Sequence, residues 1–139
     1  MRCALELVMT ATIKAEEEAV RKAIREQEER ERKRANTIRY CEKLGERLEK
    51  KAEKGNLPQI SFYCDKWDKR LLTSTYSDYA DKRLSYREEG DGLDLELMKE
   101  WFAEYCFEVE IKEYGYYRYG CGYCSGYEVV ISPAMECVK

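Results

Sequence analysis

Leu93 to Ile111, LDLELMKEWFAEYCFEVEI, decides the fold, because its hydrophobic period changes partway along. Leu97, Met98, Trp101, Phe102 and Tyr105 recur at three- and four-residue spacing, which predicts one apolar face of a helix over 95–106. Asp94 offers a side-chain oxygen as N-cap, and Leu93 and Met98 occupy the positions of a hydrophobic staple. From Phe107 the period drops to two. Phe107, Val109 and Ile111 face one way and Glu108, Glu110 and Lys112 the other, the alternation of a half-buried strand. An amphipathic helix leading straight into an amphipathic strand predicts an α+β fold whose sheet receives that helix on one face.

Beyond Ile111, the residues Tyr127, Val129 and Ile131 repeat the alternation, so the two strands are expected to form an antiparallel hairpin. Between them runs Glu113–Tyr127, EYGYYRYGCGYCSGY, with six tyrosines, four glycines, two cysteines, one serine and one arginine. Tyrosine supplies large rigid contact area while Gly and Ser let the backbone conform, and Tyr and Arg are enriched at interface hot spots. Tyr114, Tyr116, Tyr117, Arg118, Tyr119 and Tyr123 are therefore the candidate partner-binding residues. Tyr114, Tyr116 and Arg118 continue the outer face of the strand and are expected in solvent. A structural reading of the same tyrosines stands beside this one, since cross-strand aromatic pairs stabilise hairpins.

Towards the N-terminus, Glu89-Gly90-Asp91-Gly92 reads as a turn, and strands are expected at Ile60–Cys64, Leu71–Tyr79 and Arg83–Arg87. Gly55-Asn56-Leu57-Pro58 is the clearest boundary, because Gly and Asn end helices and Pro58 forbids continuation. It divides a helical arm, 1–55, from an α+β domain, 56–139. Residues 14–54 are rich in helix formers, with opposite charges at helical spacing in Glu18/Lys22, Glu26/Arg30 and Lys43/Glu46. Apolar patches occur at Ile13, Val20 and Ile24 and again at Ile38, Cys41, Leu44 and Leu48. Between them Arg25 to Arg34, REQEERERKR, has no apolar residue, and a helix polar all round is either solvated or part of an assembly. Asn36 and Thr37 are good caps, so the arm is expected either as one helix or as two with a break near Ala35–Thr37. Leu5, Leu7, Met9, Ala11 and Ile13 alternate as a strand would, while Leu5, Val8, Met9, Thr12 and Ile13 form a helical stripe. The helical segment that follows favours the helix.

The net charge of −3 hides an asymmetry. Residues 1–55 carry 15 Lys/Arg against 12 Asp/Glu, and residues 56–139 carry 10 against 16. The acidic second part argues against wrapping DNA, where phosphate neutralisation supplies most of the affinity. No signal peptide is expected after Met1-Arg2-Cys3, and no apolar run is long enough to cross a membrane. Seven cysteines, an odd number, then suggest reduced thiols in a cytoplasm. Histidine is absent, which removes Ser-His-Asp and Cys-His catalysis and His-ligated zinc enzymes.

Cys121-Gly122-Tyr123-Cys124 is a CxxC, but a thioredoxin-like site needs it at a helix start, and here a strand follows. Structural zinc would need two further ligands, and Cys64, Cys106 and Cys137 could help supply them only through long-range contacts of the fold. The carboxylate pairs Asp65/Asp68, Asp78/Asp81 and Glu108/Glu110 lack the spacing of a metal-dependent nuclease. No catalytic residue and no cofactor is assigned. Arg30 to Arg39 and the tyrosines leave nucleic-acid or nucleotide binding open as an alternative, and Cys121/Cys124 leave a zinc-supported module as another.

The charged helical arm, the cysteine-rich chain and the closing pattern WFxxYCFEVEIKEYGYYRYGCGYCSGYEVVIS resemble small phage and prophage proteins of the anti-CRISPR and anti-defence type. That resemblance implies a short, non-enzymatic inhibitor in the bacterial cytoplasm. Its partner would be a host protein or ribonucleoprotein, such as a CRISPR effector, met by the tyrosine-rich hairpin. The arm would give a homodimer or a second contact.

Overall fold

The computed structural model describes residues 1–74, 86–118 and 122–135, and for 73–74, 86–89 and 116–118 it describes the backbone. Helix α1 spans Ala4–Glu53, followed by β1 (Ile60–Asp65), β2 (Leu71–Ser74), β3 (Tyr86–Glu89), α2 (Leu95–Ala103), β4 (Phe107–Arg118) and β5 (Gly122–Pro133). The arrangement is α+β. The strands form one antiparallel sheet in the order β3-β2-β1-β5-β4. The chain divides into two compact units, Met1–Arg32 and Lys33–Lys139, so this division falls within the helix, whereas the boundary at Gly55 is where the helix ends.

In the second unit the alternation of β4 and β5 produces the expected hairpin, with Val109 opposite Ile131 and Ile111 opposite Val129. β1 completes the apolar face on the far side of β5, where Ile60 pairs with Ile131 and Phe62 with Val129. Onto this face pack α2 and the residues of α1 after Arg32. Cys41, Leu44, Leu48, Met98, Phe102, Val129 and Ile131 are each at most 3% exposed. Burying a large side chain of this kind contributes about 1.5–3 kcal/mol, so this contiguous cluster is the main stabilising term. Edge-to-face ring contacts extend it, Tyr40 on Phe62 at 5.3 Å and Phe102 on Phe107 at 6.2 Å.

The signals around α2 hold. Asp94 Oδ1 accepts the N–H of Leu97 at 3.2 Å, and the staple residues Leu93 and Met98 are both buried. The helix stops at Ala103, however, short of the expected 106. Glu104 caps it and Cys106 takes a left-handed φ of 62°, turning the chain into β4. Tyr105 therefore leaves the core stripe and is 59% exposed, while Leu95 is buried in its place.

Helix α1 runs unbroken through Ala35–Thr37 and begins at Ala4, which excludes both the break and an N-terminal strand. The cap residues serve another element instead. Thr37 Oγ1 donates to the carbonyl of Lys33 at 2.7 Å and accepts the N–H of Asp94 at 2.8 Å. Asn36 Nδ2 donates to the carbonyl of Asp91 at 3.2 Å. The polar pair thus fastens the α2 entry to the side of α1. The C-terminus of α1 is a Schellman motif around Gly55 (φ 80°). Gly55 N–H donates to Ala52 at 3.0 Å and Asn56 N–H to Lys51 at 2.9 Å.

In the first unit every large apolar side chain of the helix is exposed. Leu5, Val8, Met9, Ile13, Val20 and Ile24 lie between 52% and 69% exposed. Among the described residues, its ion pairs join Arg21 to Glu17 and Glu18, not Glu18 to Lys22 or Glu26 to Arg30. The strand expected over Leu71–Tyr79 is seen as β2 to Ser74, its remainder lying outside the described residues, and of the strand expected over Arg83–Arg87 β3 shows Tyr86 and Arg87, residues 83–85 lying outside the described residues.

Candidate binding surfaces

The hairpin ladder extends to its far end, pairing Tyr114 with Gly126, Gly115 with Ser125, Tyr116 with Cys124, Tyr117 with Tyr123 and Arg118 with Gly122. Five of the six candidate residues therefore lie on two paired strands. The sixth, Tyr119, lies outside the described residues, as does Cys121. For Tyr116, Tyr117 and Arg118 the register is what is described.

Tyr114 does not stand in solvent as its outward position suggested. It is half-buried, with its ring 4.9 Å from that of Tyr63 in an edge-on contact. Gly126, paired with Tyr114 on one side and Asp65 on the other, is buried between the neighbouring strands. Tyr114 is thus part of the sheet's second face, as the structural reading of the tyrosines allowed. Tyr123 differs. It is 66% exposed, and its ring crosses the backbone at Gly115, where a Cβ would overlap the phenol. The glycine in β4 makes room for a tyrosine that lies flat across the hairpin and still offers most of its surface to solvent.

The described cysteines are free thiols. Cys124 sits within β5 and its thiol points at the carbonyl of Gly122 at 3.9 Å. Cys64 is buried on β1 and Cys106 exposed after α2. Among the described residues no three Cys, Asp or Glu side chains group as a metal site. Burial pushes the Cys41 thiol up to about 12 and the Cys64 thiol up to about 11, so both are poor nucleophiles near neutral pH.

Asp65 of the acidic pairs has a structural task. It is 5% exposed, and its carboxylate accepts the N–H groups of Trp67, Asp68 and Arg70 at 3.2, 3.0 and 2.8 Å. Its oxygens close the β1–β2 loop and are not directed at a ligand. Glu110 pairs with Lys112 at 3.7 Å on the solvent face of β4.

One surface was missed in the sequence. In the second unit a cleft of about 360 Å³ opens between α1, α2 and the start of β4, floored by Leu48, Trp101, Phe102 and Phe107. Glu42, Glu46 and Glu49 stand along its α1 side and Tyr105 at its α2 side. Gly45 lies beside the Trp101 ring, which a Cβ added at Gly45 would meet at 3.6 Å. The signals for it are Gly45 inside a strong helix and Tyr105, which the periodicity assigns to the core stripe of α2.

Comparison with protein-family models, with curated proteins and with solved structures gave no match.

Proposed function

We propose that this chain is a non-enzymatic binding protein that captures a protein or ribonucleoprotein partner. The observation that carries this reading is the apolar face of α1 in the first unit, where Leu5, Val8, Met9, Ile13, Val20 and Ile24 are all more than half exposed. Covering such side chains contributes roughly 1.5–3 kcal/mol each, and contiguous exposed apolar surface marks interaction sites. The end of the β4–β5 hairpin is the second contact, supported by the exposed Tyr123 and by the Tyr/Gly/Arg composition around it.

An occluding inhibitor of a bacterial defence protein, as the resemblance to anti-CRISPR-type phage proteins implies, would need no more than these two surfaces. The arm would also serve a homodimer. Its acidic run Glu16–Glu18 precedes Arg21, Lys22 and Arg25, so antiparallel copies can bring opposite charges together.

The test compares co-purification from bacterial lysate for two variants. Ile13→Glu with Val20→Glu, and separately Tyr116→Ala, Arg118→Ala and Tyr119→Ala, are expected to lose the captured partner at unchanged melting temperature. Loss of capture only in step with loss of thermal stability would show that these residues hold the fold and do not touch a partner.

A further inference from the structure

We propose that the cleft between α1 and α2 binds a basic amphipathic helix of a partner protein. This rests on the protein-binding reading but uses neither the helix face before Arg32 nor the hairpin. The cleft falls within the usual size of ligand pockets, roughly 300–1,000 Å³, and its walls are apolar and aromatic. The rings of Trp101 and Tyr105 are 4.8 Å apart at its edge, Trp101 half-buried and Tyr105 59% exposed.

Every charged residue that lines the cleft is acidic. Glu42, Glu46 and Glu49 are exposed, and none takes part in an ion pair within 4.0 Å among the described residues. They recur at i, i+4 and i+7, along one side of α1 at a rise of about 1.5 Å per residue. Lysines or arginines at the same spacing on a second helix would face them in register, while its apolar side chains enter the cleft. The exposed aromatic edge adds cation–π attraction for the same charges. Gly45 supports the assignment. A glycine inside a helix is costlier than alanine, and a Cβ here would meet Trp101 only at ordinary van der Waals distance. The fold therefore does not require glycine, and its consequence is a deeper cleft beneath the tryptophan.

The chain has two tryptophans, and Trp67 is 81% exposed in the β1–β2 loop. In full-length protein carrying Trp67→Phe, Trp101 becomes the sole reporter. A synthetic Leu/Lys amphipathic helix is expected to change its emission saturably, and the Leu/Glu counterpart to leave it unchanged. The combined substitutions Glu42→Gln, Glu46→Gln and Glu49→Gln should weaken the Leu/Lys peptide about tenfold with unchanged circular dichroism. Gly45→Leu should block it by filling the cleft. Equal response to both peptides, or full affinity in the glutamine variant, would overturn the proposal. So would a Trp101 signal that depends on the concentration of the protein alone, since a second copy would then occupy the cleft. The Ile13→Glu, Val20→Glu variant should bind the Leu/Lys peptide normally, so failure here and failure of the α1 face remain distinct.

Discussion

Asp65 sits next to Cys64 at the end of β1, and both are buried, one as an acceptor of three loop N–H groups and the other as a thiol in the core. Removing the carboxylate leaves those donors in a part-buried loop without their acceptor. Asp65→Ala is expected to lose about 1–3 kcal/mol in urea denaturation. The buried thiols set an alkaline limit. In the unfolded chain Cys41 and Cys64 release their protons near the ordinary thiol value of about 9, in the folded chain only near 12 and 11. The folded state thus holds protons that the unfolded state has lost. The stability they contribute is whole below pH 9 and is lost as pH rises through the folded values, and the burial-raised Tyr40 acts in the same sense. Unfolding midpoints measured against pH should fall above 9, and fall less steeply in Cys41→Ala, Cys64→Ala. At this scale the sequence was readable where a residue acts alone, as with the Asp94 cap. It was not readable where the role depends on a distant partner. Tyr114 and Tyr123 have the same side chain and similar neighbours, yet Tyr63 half-buries the first while the second lies exposed across Gly115.

The elements followed from periodicity where a single period dominates. The switch at Cys106–Phe107 gave α2 and the hairpin, and Gly55 gave the end of α1 through its left-handed φ. The position of β1 did not follow, because pairing with β5 is a contact across more than sixty residues that no local pattern encodes (Ile60 with Ile131, Asp65 with Gly126). Asn36 and Thr37 carried the signature of a cap and were used as one from the side, to hold Asp94 and Asp91. Gly45 is the remaining local conflict in α1. Since a Cβ there fits against Trp101, Gly45→Ala should raise stability by about 0.5–1 kcal/mol, read as a higher melting temperature.

The whole molecule combines a core built without any residue before Lys33 and a first unit whose apolar side chains remain uncovered. The two apolar patches of α1 were both visible in the sequence. Which would be buried was not, since Ile13, Val20 and Ile24, like Cys41, Leu44 and Leu48, are apolar residues recurring on one side of a helix. What separates them is the sheet and α2, which cover only the second set. No helix among the described residues is long and apolar enough to cross a membrane, so a bilayer-spanning segment does not account for the exposed face. A partner does. Native mass spectrometry of the full chain and of the chain lacking 1–32, each before and after mixing with bacterial lysate, tests this most directly. The account predicts that the full chain gains the mass of a defined protein or ribonucleoprotein and that the shortened chain, melting at the same temperature, gains none. Equal capture by both chains, or a full chain that carries a metal ion or nucleotide and takes up no macromolecule, would contradict it.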